Sequence, residues 1–496
     1  MPRMRLSDLI TAVPGVSTLE GSGISEAWIA DIAYDSRKVQ PGALFVAVPG
    51  QQHDGHAYVQ DALSRGAVAL VVERPVDVTS VPVVQVPHAR EALALLANKF
   101  YGFPSRSLLL VGVTGTNGKT TTTHLIAHLL RAGGFRAGII GTLGAVLDGV
   151  GEVPISHTTP EAPDLQRVLY TAVQNGIQAV VMEVSSHALD QCRTLGLEFD
   201  LAVFTNLTQD HLDYHQTMDA YAESKRKLFT DYPRQSEKAF QAVFNLDDAT
   251  GRKWYGESAY RRWGYGIYST DAEVRASEVR LLPDGVQMRV ATPAGEYEIS
   301  VPLGGGFQAY NILASLTASF ALSLSLDVVL GALSTAPQVP GRFEIVPNQR
   351  GITVIVDYAH TPDGLENLLR STRALQPRRL ITVFGCGGNR DRSKRPKMGA
   401  IASELADLCV VTSDNPRYEP PEAIIEEILQ GVTRREGVLV EQDRRRAIAL
   451  AIEMAQPGDV VVIAGKGHET VQIIGDQRIP FDDRIVAREI LEGLTK

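Results

Sequence analysis

LLLVGVTGTNGKTTTT, residues 108–123, reads as an apolar, β-rich run, then a loop broken by Gly115 and Gly118, then Lys119, Thr120 and Thr121 at the head of a helix-like segment. Strand, glycine loop and helix in that order suit a phosphate. Glycine lets the backbone approach an anion, successive N–H groups converge on it, the helix N-terminus adds positive potential, and Lys119 adds a full charge. Thr120 follows, where a hydroxyl can meet the Mg²⁺ that accompanies a nucleotide triphosphate. The spacing departs from G-x-x-x-x-G-K-[ST], since Val113 stands at the first glycine position. The loop is a variant of type T-G-T-N-G-K-T. A plain turn would need neither the lysine nor the threonines.

The 496 residues around this loop are enough for about three domains of roughly 150 residues each. With 44% hydrophobic and 21% charged residues, the chain can bury substantial cores. A net charge of −9 argues against nucleic acid or an anionic membrane as partner, so a polyanionic ligand must be held by local basic residues. Three scattered cysteines fit a reducing cytosol, and neither a signal pattern nor an apolar run of about 20 residues is present. A soluble, cytoplasmic monomer is expected.

Three α/β units are predicted, at 1–105, 106–340 and 341–496. In the first, strand-like runs 43–48 and 67–73 flank a helical stretch near 56–64, and the linker is predicted at 100–105, where Gly102 and Pro104 interrupt the helix. In the second, strands 179–184 and 201–205 alternate with helices, which predicts a mostly parallel sheet with ligands at its carboxyl ends. Glu183 ends one such strand and His211 lies in the loop after the other, so the pair is a candidate metal site near the phosphates, although Mg²⁺ prefers oxygen. Lys225 falls among Glu223, Arg226 and Lys227, a pattern that by itself reads as a solvated helix face. Two turn signals between 273 and 301 add antiparallel strands, and Asn311 near the start of helix 310–322 reads as a cap or a ligand contact. The third unit repeats the rhythm, with strands 352–360, 380–384, 408–413 and 460–465. Loops 385–396, 414–417 and 466–469 carry charge at one end of one sheet, a second binding rim. No G-x-G-x-x-G follows its first strand, which disfavours NAD.

TGTNGKTT (114–121), MEVSSH (182–187), TNLTQDHLDYH (205–215), GRFE (341–344), DYAHTP (357–362) and GKGHE (465–469) together resemble the Mur ligases, bacterial ATP-dependent amide ligases that build the peptidoglycan stem peptide. The resemblance spans essentially the whole chain. It implies a UDP-sugar-binding N-terminal domain, a central ATP-binding domain and a Rossmann-like C-terminal domain for the incoming amino acid. Within the family, the DNPR stretch at 414–417 is similar to that of members adding meso-diaminopimelate to UDP-N-acetylmuramoyl-L-alanyl-D-glutamate; lysine-adding members differ at the position of Arg417. The reaction implied is phosphoryl transfer from ATP to a carboxylate, then attack of an amine on the acyl phosphate.

By the same resemblance, Gly115, Thr116, Asn117, Gly118, Lys119, Thr120, Thr121, Asn311, Arg342 and Asp357 contact ATP. Lys119, Lys225, Glu183 and His211 are catalytic, and Thr120, Glu183, His211 and Lys225 as its carbamate (N6-carboxylysine) support two Mg²⁺ ions. Tyr34, Ser36, Gln51, Gln52 and His53 contact the UDP-sugar, and Thr158, Thr159, Ser185, Gln191 and Arg193 the muramoyl-dipeptide. His157 stands where relatives often have Asn. Arg390, Asp414, Asn415, Pro416, Arg417, Gly465 and Glu469 recognise diaminopimelate, whose distal carboxylate suits the guanidinium fork of Arg417. The alternatives are the same ligase with L-lysine, a folylpolyglutamate synthase, which the DNPR stretch and first unit oppose, and a non-catalytic nucleotide-binding scaffold.

Overall fold

The structure, a computed structural model, describes residues 2–16, 18–20, 26–50 and 53–494. Gln51 and Gln52 therefore lie outside the described residues. Three sheets dominate. A five-stranded sheet runs in the order Thr18–Glu20, Val83–Gln85, Ala67–Val72, Ala43–Val46, Asp31–Ala33. An eleven-stranded sheet follows in the chain, and a six-stranded sheet closes it. The short strands ahead of residue 43 were not foreseen, because two or three residues are too few to show a period of two.

The eleven-stranded sheet has a parallel heart of seven strands, in the order Ala137–Gly141, Ala179–Glu183, Leu109–Thr114, Leu201–Phe204, Gln241–Asn245, Arg261–Gly266 and Val274–Leu282. Central strands of such a sheet are covered on both faces and so read as unbroken apolar runs. Val111 and Val113 point into one core with the helices Lys119–Ala132 and Gln308–Ala321, while Leu108 and Leu110 point into the other with the helices Ala162–Gln174 and Met218–Arg234. The antiparallel strands Gly285–Thr292 and Gly295–Val301 extend one edge, as the turn signals predict.

In the six-stranded sheet, five strands are parallel: Thr353–Asp357, Val460–Ala464, Leu380–Phe384, Leu408–Val411 and Val438–Val440. The run read as a strand over 352–360 stops at Asp357, whose carboxylate accepts from Phe343 N at 2.7 Å and Ala359 N at 2.8 Å. Those bonds bend the chain away from the ladder. Residues 358–360 are consequently loop.

A buried ion pair holds the carboxyl end of this sheet. Arg444 grips Asp483 through both oxygens, at 2.8 and 2.7 Å, and both side chains are fully buried. The same guanidinium donates to Ser413 O at 3.3 Å and Ala464 O at 3.0 Å, the carbonyls just before Asp414 and Gly465. Among the described residues no helix is long and apolar enough to cross a membrane. Arg444→Ala leaves Asp483 buried without its cation, which costs about 3–5 kcal/mol. Chemical denaturation should register that loss, and Arg444→Ala together with Asp483→Leu should recover part of it.

Candidate active site

The phosphate loop sits at the carboxyl end of the parallel heart, beside a cavity of about 750 Å³. Gly115 and Gly118 have φ of 147° and 85°, and a Cβ would overlap Thr205 Oγ1 at the first and Asn311 Oδ1 at the second. Only glycine fits either place. Helix Lys119–Ala132 begins at the lysine, so Thr120 and Thr121 occupy its first turn, with their side chains buried.

Lys119 Nζ folds back onto Thr116 O at 2.7 Å and Gly115 O at 2.9 Å. Lys225 Nζ donates to that same Gly115 carbonyl, also at 2.9 Å. Lys225 is 1% exposed, so the solvated face suggested by its neighbours in sequence is not where it lies. It stands over the Tyr221 ring at 4.5 Å, and among the described residues no carboxylate pairs with it. Burial, then the nearby Lys119, push its protonation equilibrium well below that of an ordinary lysine. Two cations bound to one oxygen lie within about 6 Å of each other and repel by about 3 kcal/mol at an effective dielectric of about 20. The site is built to receive negative charge.

Glu183 ends its strand inside the cavity wall, with Oε1 accepting from Thr142 N at 2.8 Å and Oε2 from Thr142 Oγ1 at 3.1 Å. Gly141 leaves room for it, since a Cβ there would overlap Oε1. His211 takes a left-handed backbone, φ 53°, and remains 44% exposed toward the cavity, with Asp210 at 3.4 Å. Burial holds its protonation below the usual histidine range. Its ring packs edge-on against His187, with centroids 4.8 Å apart, and His187 in turn meets Tyr214 and His215. Isolated histidines in sequence carry no sign of this cluster. Among the described residues no three His, Cys, Asp or Glu side chains converge as a preformed metal cage.

Asn311 lies within the helix Gln308–Ala321 and is not its cap, a place taken by Phe307. Its amide donates to Gln308 and accepts from Thr122, which fixes it against Gly118. From the third unit, Arg342 donates to Thr120 Oγ1 at 3.1 Å and lies over the Tyr358 ring at 4.5 Å. Asp357 lines the same cavity, and burial raises its protonation equilibrium against the pull of Arg342.

A second group adjoins Glu183. Thr159 Oγ1 donates to Glu183 O at 2.8 Å and accepts from Ser185 N at 3.1 Å, while its carbonyl accepts from Arg193. Arg193 also holds Gln191 Oε1 and pairs with Glu161, and Thr158 Oγ1 meets Thr142 Oγ1 at 3.2 Å. His157 bonds its neighbour Ser156 and is exposed. From the first unit, Tyr34 reaches this region by donating to Asp164 at 2.8 Å; Ser36 is buried, and His53 lies exposed near Tyr58.

The rim of the third unit comes together as its loops predict. Asn415 Oδ1 accepts from Lys466 Nζ and Ile473 N, both at 3.0 Å, and its amide donates to Glu469 at 2.8 Å. Gly465, φ 116°, lets Asp414 Oδ2 close in. Pro416 lies against Gly388, and Arg417 donates to Gly388 O at 2.9 Å. Burial and Arg390 both lower the basicity of Arg417, while Asp414 and Glu469 raise it. Two guanidiniums and two carboxylates thus share one rim. Tyr358, flanked by His360 and His468, lines the nucleotide-sized cavity and lies within electrostatic reach of Arg390, Asp414 and Glu469. The motif DYAHTP contains Tyr358, but nothing in the spacing marks it.

Three family models match the chain: the Mur ligase middle domain over residues 113–319, the glutamate ligase domain of Mur ligases over 341–467, and the Mur ligase family catalytic domain over 29–101. The UDP-N-acetylmuramoyl-L-alanyl-D-glutamate--2,6-diaminopimelate ligase of Geobacillus thermodenitrificans is 47% identical over 98% of this chain and 99% of its own. That of Gloeobacter violaceus is 47% identical over 99% of each. A solved structure of a ligase of this name has a TM-score of 0.69 at 31% identity over 100% of both chains. A Mycobacterium tuberculosis folylpolyglutamate synthase, at 21% identity and TM-score 0.61 over 74% of this chain and 91% of its own, shares the fold. With full-length relatives at this level of identity and the phosphate loop, paired lysines and charged rim in one molecule, the chain belongs to the Mur ligase family.

Proposed function

We propose that this protein is an ATP-dependent amide ligase that joins meso-diaminopimelate to the D-glutamate of UDP-N-acetylmuramoyl-L-alanyl-D-glutamate, a cytoplasmic step of peptidoglycan precursor synthesis carried out by a monomer. Residues 1–105 bind the UDP-sugar, 106–340 bind ATP and 341–496 bind the amino acid. The observation that carries the acceptor assignment is the rim where Arg390 and Arg417 meet Asp414 and Glu469. Its charges complement a molecule with two ammonium and two carboxylate groups, and the Arg417 fork grips a distal carboxylate that lysine lacks.

The chemistry follows from the charges. The D-glutamate carboxylate attacks the γ-phosphorus of ATP, ADP departs, and the acceptor amine then displaces phosphate from the acyl phosphate to give the amide. Negative charge is present throughout, so positioned cations supply much of the rate. Lys119 and the backbone of residues 115–121 hold the phosphates, with Asn311, Arg342 and Asp357 completing the ATP contacts. Tyr34, Ser36, Gln51, Gln52 and His53 hold the nucleotide sugar, and Thr158, Thr159, Ser185, Gln191 and Arg193 the dipeptide. Asp414, Asn415, Pro416, Arg417, Arg390, Gly465 and Glu469 hold the acceptor.

Lys225 acts as its carbamate. An amine must be neutral to take up CO₂, and burial beside Lys119 favours that form. The neutral amine nitrogen bonds the carbon of CO₂ and releases one proton, which leaves an anionic carbamate beside Lys119 where an ammonium group would repel it. Thr120, Glu183, His211 and the carbamate would hold two Mg²⁺ ions, which would supply positive charge to the phosphates.

Phosphate release with ATP, Mg²⁺ and the UDP-muramoyl-dipeptide is expected with meso-diaminopimelate and not with L-lysine. Release with lysine would reassign the acceptor, and release with neither would return the chain to a nucleotide-binding scaffold. Lys225→Ala should lower turnover by about 10²-fold or more, with partial rescue by added short carboxylates. Full activity in that variant would remove the carbamate. Arg417→Ala should raise KM for diaminopimelate by about 10- to 100-fold, the size of a lost charged bidentate contact, and leave KM for ATP within about twofold.

A further inference from the structure

Asp363 is the second residue of the helix Pro362–Arg373, and its carboxylate reaches out of the third unit to the phosphate loop. One oxygen, Oδ2, accepts from Asn117 Nδ2 at 2.7 Å and from Thr208 Oγ1 at 3.0 Å. The two donors lie on loops that follow neighbouring parallel strands, Leu109–Thr114 and Leu201–Phe204. The first loop leads to Lys119, and the second carries His211.

These loops already brace each other. Thr208 N donates to Thr116 Oγ1 at 3.0 Å, Asn117 N to Asn206 Oδ1 at 2.9 Å, and Thr205 Oγ1 to Asn117 O at 2.6 Å. Asp363 adds a tie from the opposite wall of the cavity. Arg342, donating to Thr120, is a second hold of the third unit on the same loop.

A carboxylate suits this place. It accepts two donors on one oxygen, its bonds are stronger than those of a neutral acceptor, and the first turn of a helix stabilises negative charge. Pro362 at the start of the helix and Thr361 Oγ1, accepting from Gly364 N at 3.1 Å, fix that turn. Yet an anion in a cavity for phosphates opposes the ligand, and none of the roles assigned above uses it. Its bonds to the two loops are what it contributes.

We propose that Asp363 is a positioning residue for the ligase reaction: by holding Asn117 and Thr208 it ties the third unit to the phosphate loop, so that Lys119 and His211 come into register when that unit is seated. The kinetic part of this inference rests on the ligase reading; the structural part does not.

The test compares Asp363→Ala, Asp363→Asn and, as a control, Glu366→Ala on the same helix, where Glu366 pairs with Arg370 at the surface. Amide hydrogen exchange over residues 114–123 and 205–211 is measured on the full chain without substrates, alongside phosphate release with the complete substrate set. Asp363→Ala should exchange faster in both loops and lose about tenfold or more in kcat, the scale of a lost charged hydrogen bond, at unchanged thermal midpoint. Asp363→Asn, which keeps an acceptor oxygen, should exchange like the parent and stay within about threefold in kcat, and Glu366→Ala should match the parent. Parental exchange in Asp363→Ala would overturn the proposal. So would Asp363→Asn behaving no better than Asp363→Ala, because the hydrogen bonds would then not be the cause. If the parent chain turns over no acceptor at all, the ligase reading fails while hydrogen exchange still decides whether Asp363 ties the loops.

Discussion

The carbonyl of Gly115 accepts a hydrogen bond from Lys119 and another from Lys225, each at 2.9 Å. Much else in the centre of the molecule follows from that sharing. Two ammonium groups around one oxygen, one of them buried and neither bonded to a carboxylate among the described residues, are stable only if one gives up its proton or an anion joins them. The glycine brings its carbonyl there by taking φ 147°, and Thr205 occupies the space a side chain would need. Lys225 arrives on the helix Met218–Arg234, and Lys119 at the start of the helix Lys119–Ala132. The parallel heart of the sheet exists, in functional terms, to hold those two helices at one strand end.

The third unit completes the site by the same rule of sheet architecture. Its charged loops also leave the carboxyl ends of parallel strands, and Arg342, Asp357 and Tyr358 enter the cavity lined by the phosphate loop. Arg444 ties the carbonyls of Ser413 and Ala464 together beneath the charged rim, so its buried charge bears on where Asp414 and Gly465 sit. Contacts between units combine packing with hydrogen bonds: Tyr170 of the second unit packs against the core of the first, and Phe307 against that of the third. The helix Ala89–Phe100 of the first unit also lies against the helix Ala162–Gln174 of the second.

Local pattern was enough for the phosphate loop, since strand, glycines, lysine and helix lie within one short stretch and each reports its own backbone requirement. The antiparallel strands between 274 and 301 were legible for the same reason: turn residues and alternation are local signals. Lys225 was not. Its neighbours are charged and its helix is amphipathic, and only the packing of that helix turns this one lysine inward. Of the two readings of Asn311 the cap fails, because the helix already begins at Gln308. The end of the strand at Asp357 was misread because bonds from Phe343 N and Ala359 N to its carboxylate stop the strand there. Gln51 and Gln52 lie outside the described residues.

The order of residues along the chain is therefore sufficient for the α/β class, the strand-end loops and the family, all of which depend on neighbours within a few positions. Which side chains share a site depends on how strands far apart in the chain pair and which helix faces they cover. Pairing brought Gly115 beside Thr205, packing brought Lys225 to Lys119, and the seating of the third unit brought Asp363 to Asn117 across 246 positions of chain. Burial then set the chemistry of those groups. A lysine that water would keep charged is driven toward its neutral amine only where tertiary structure removes the water.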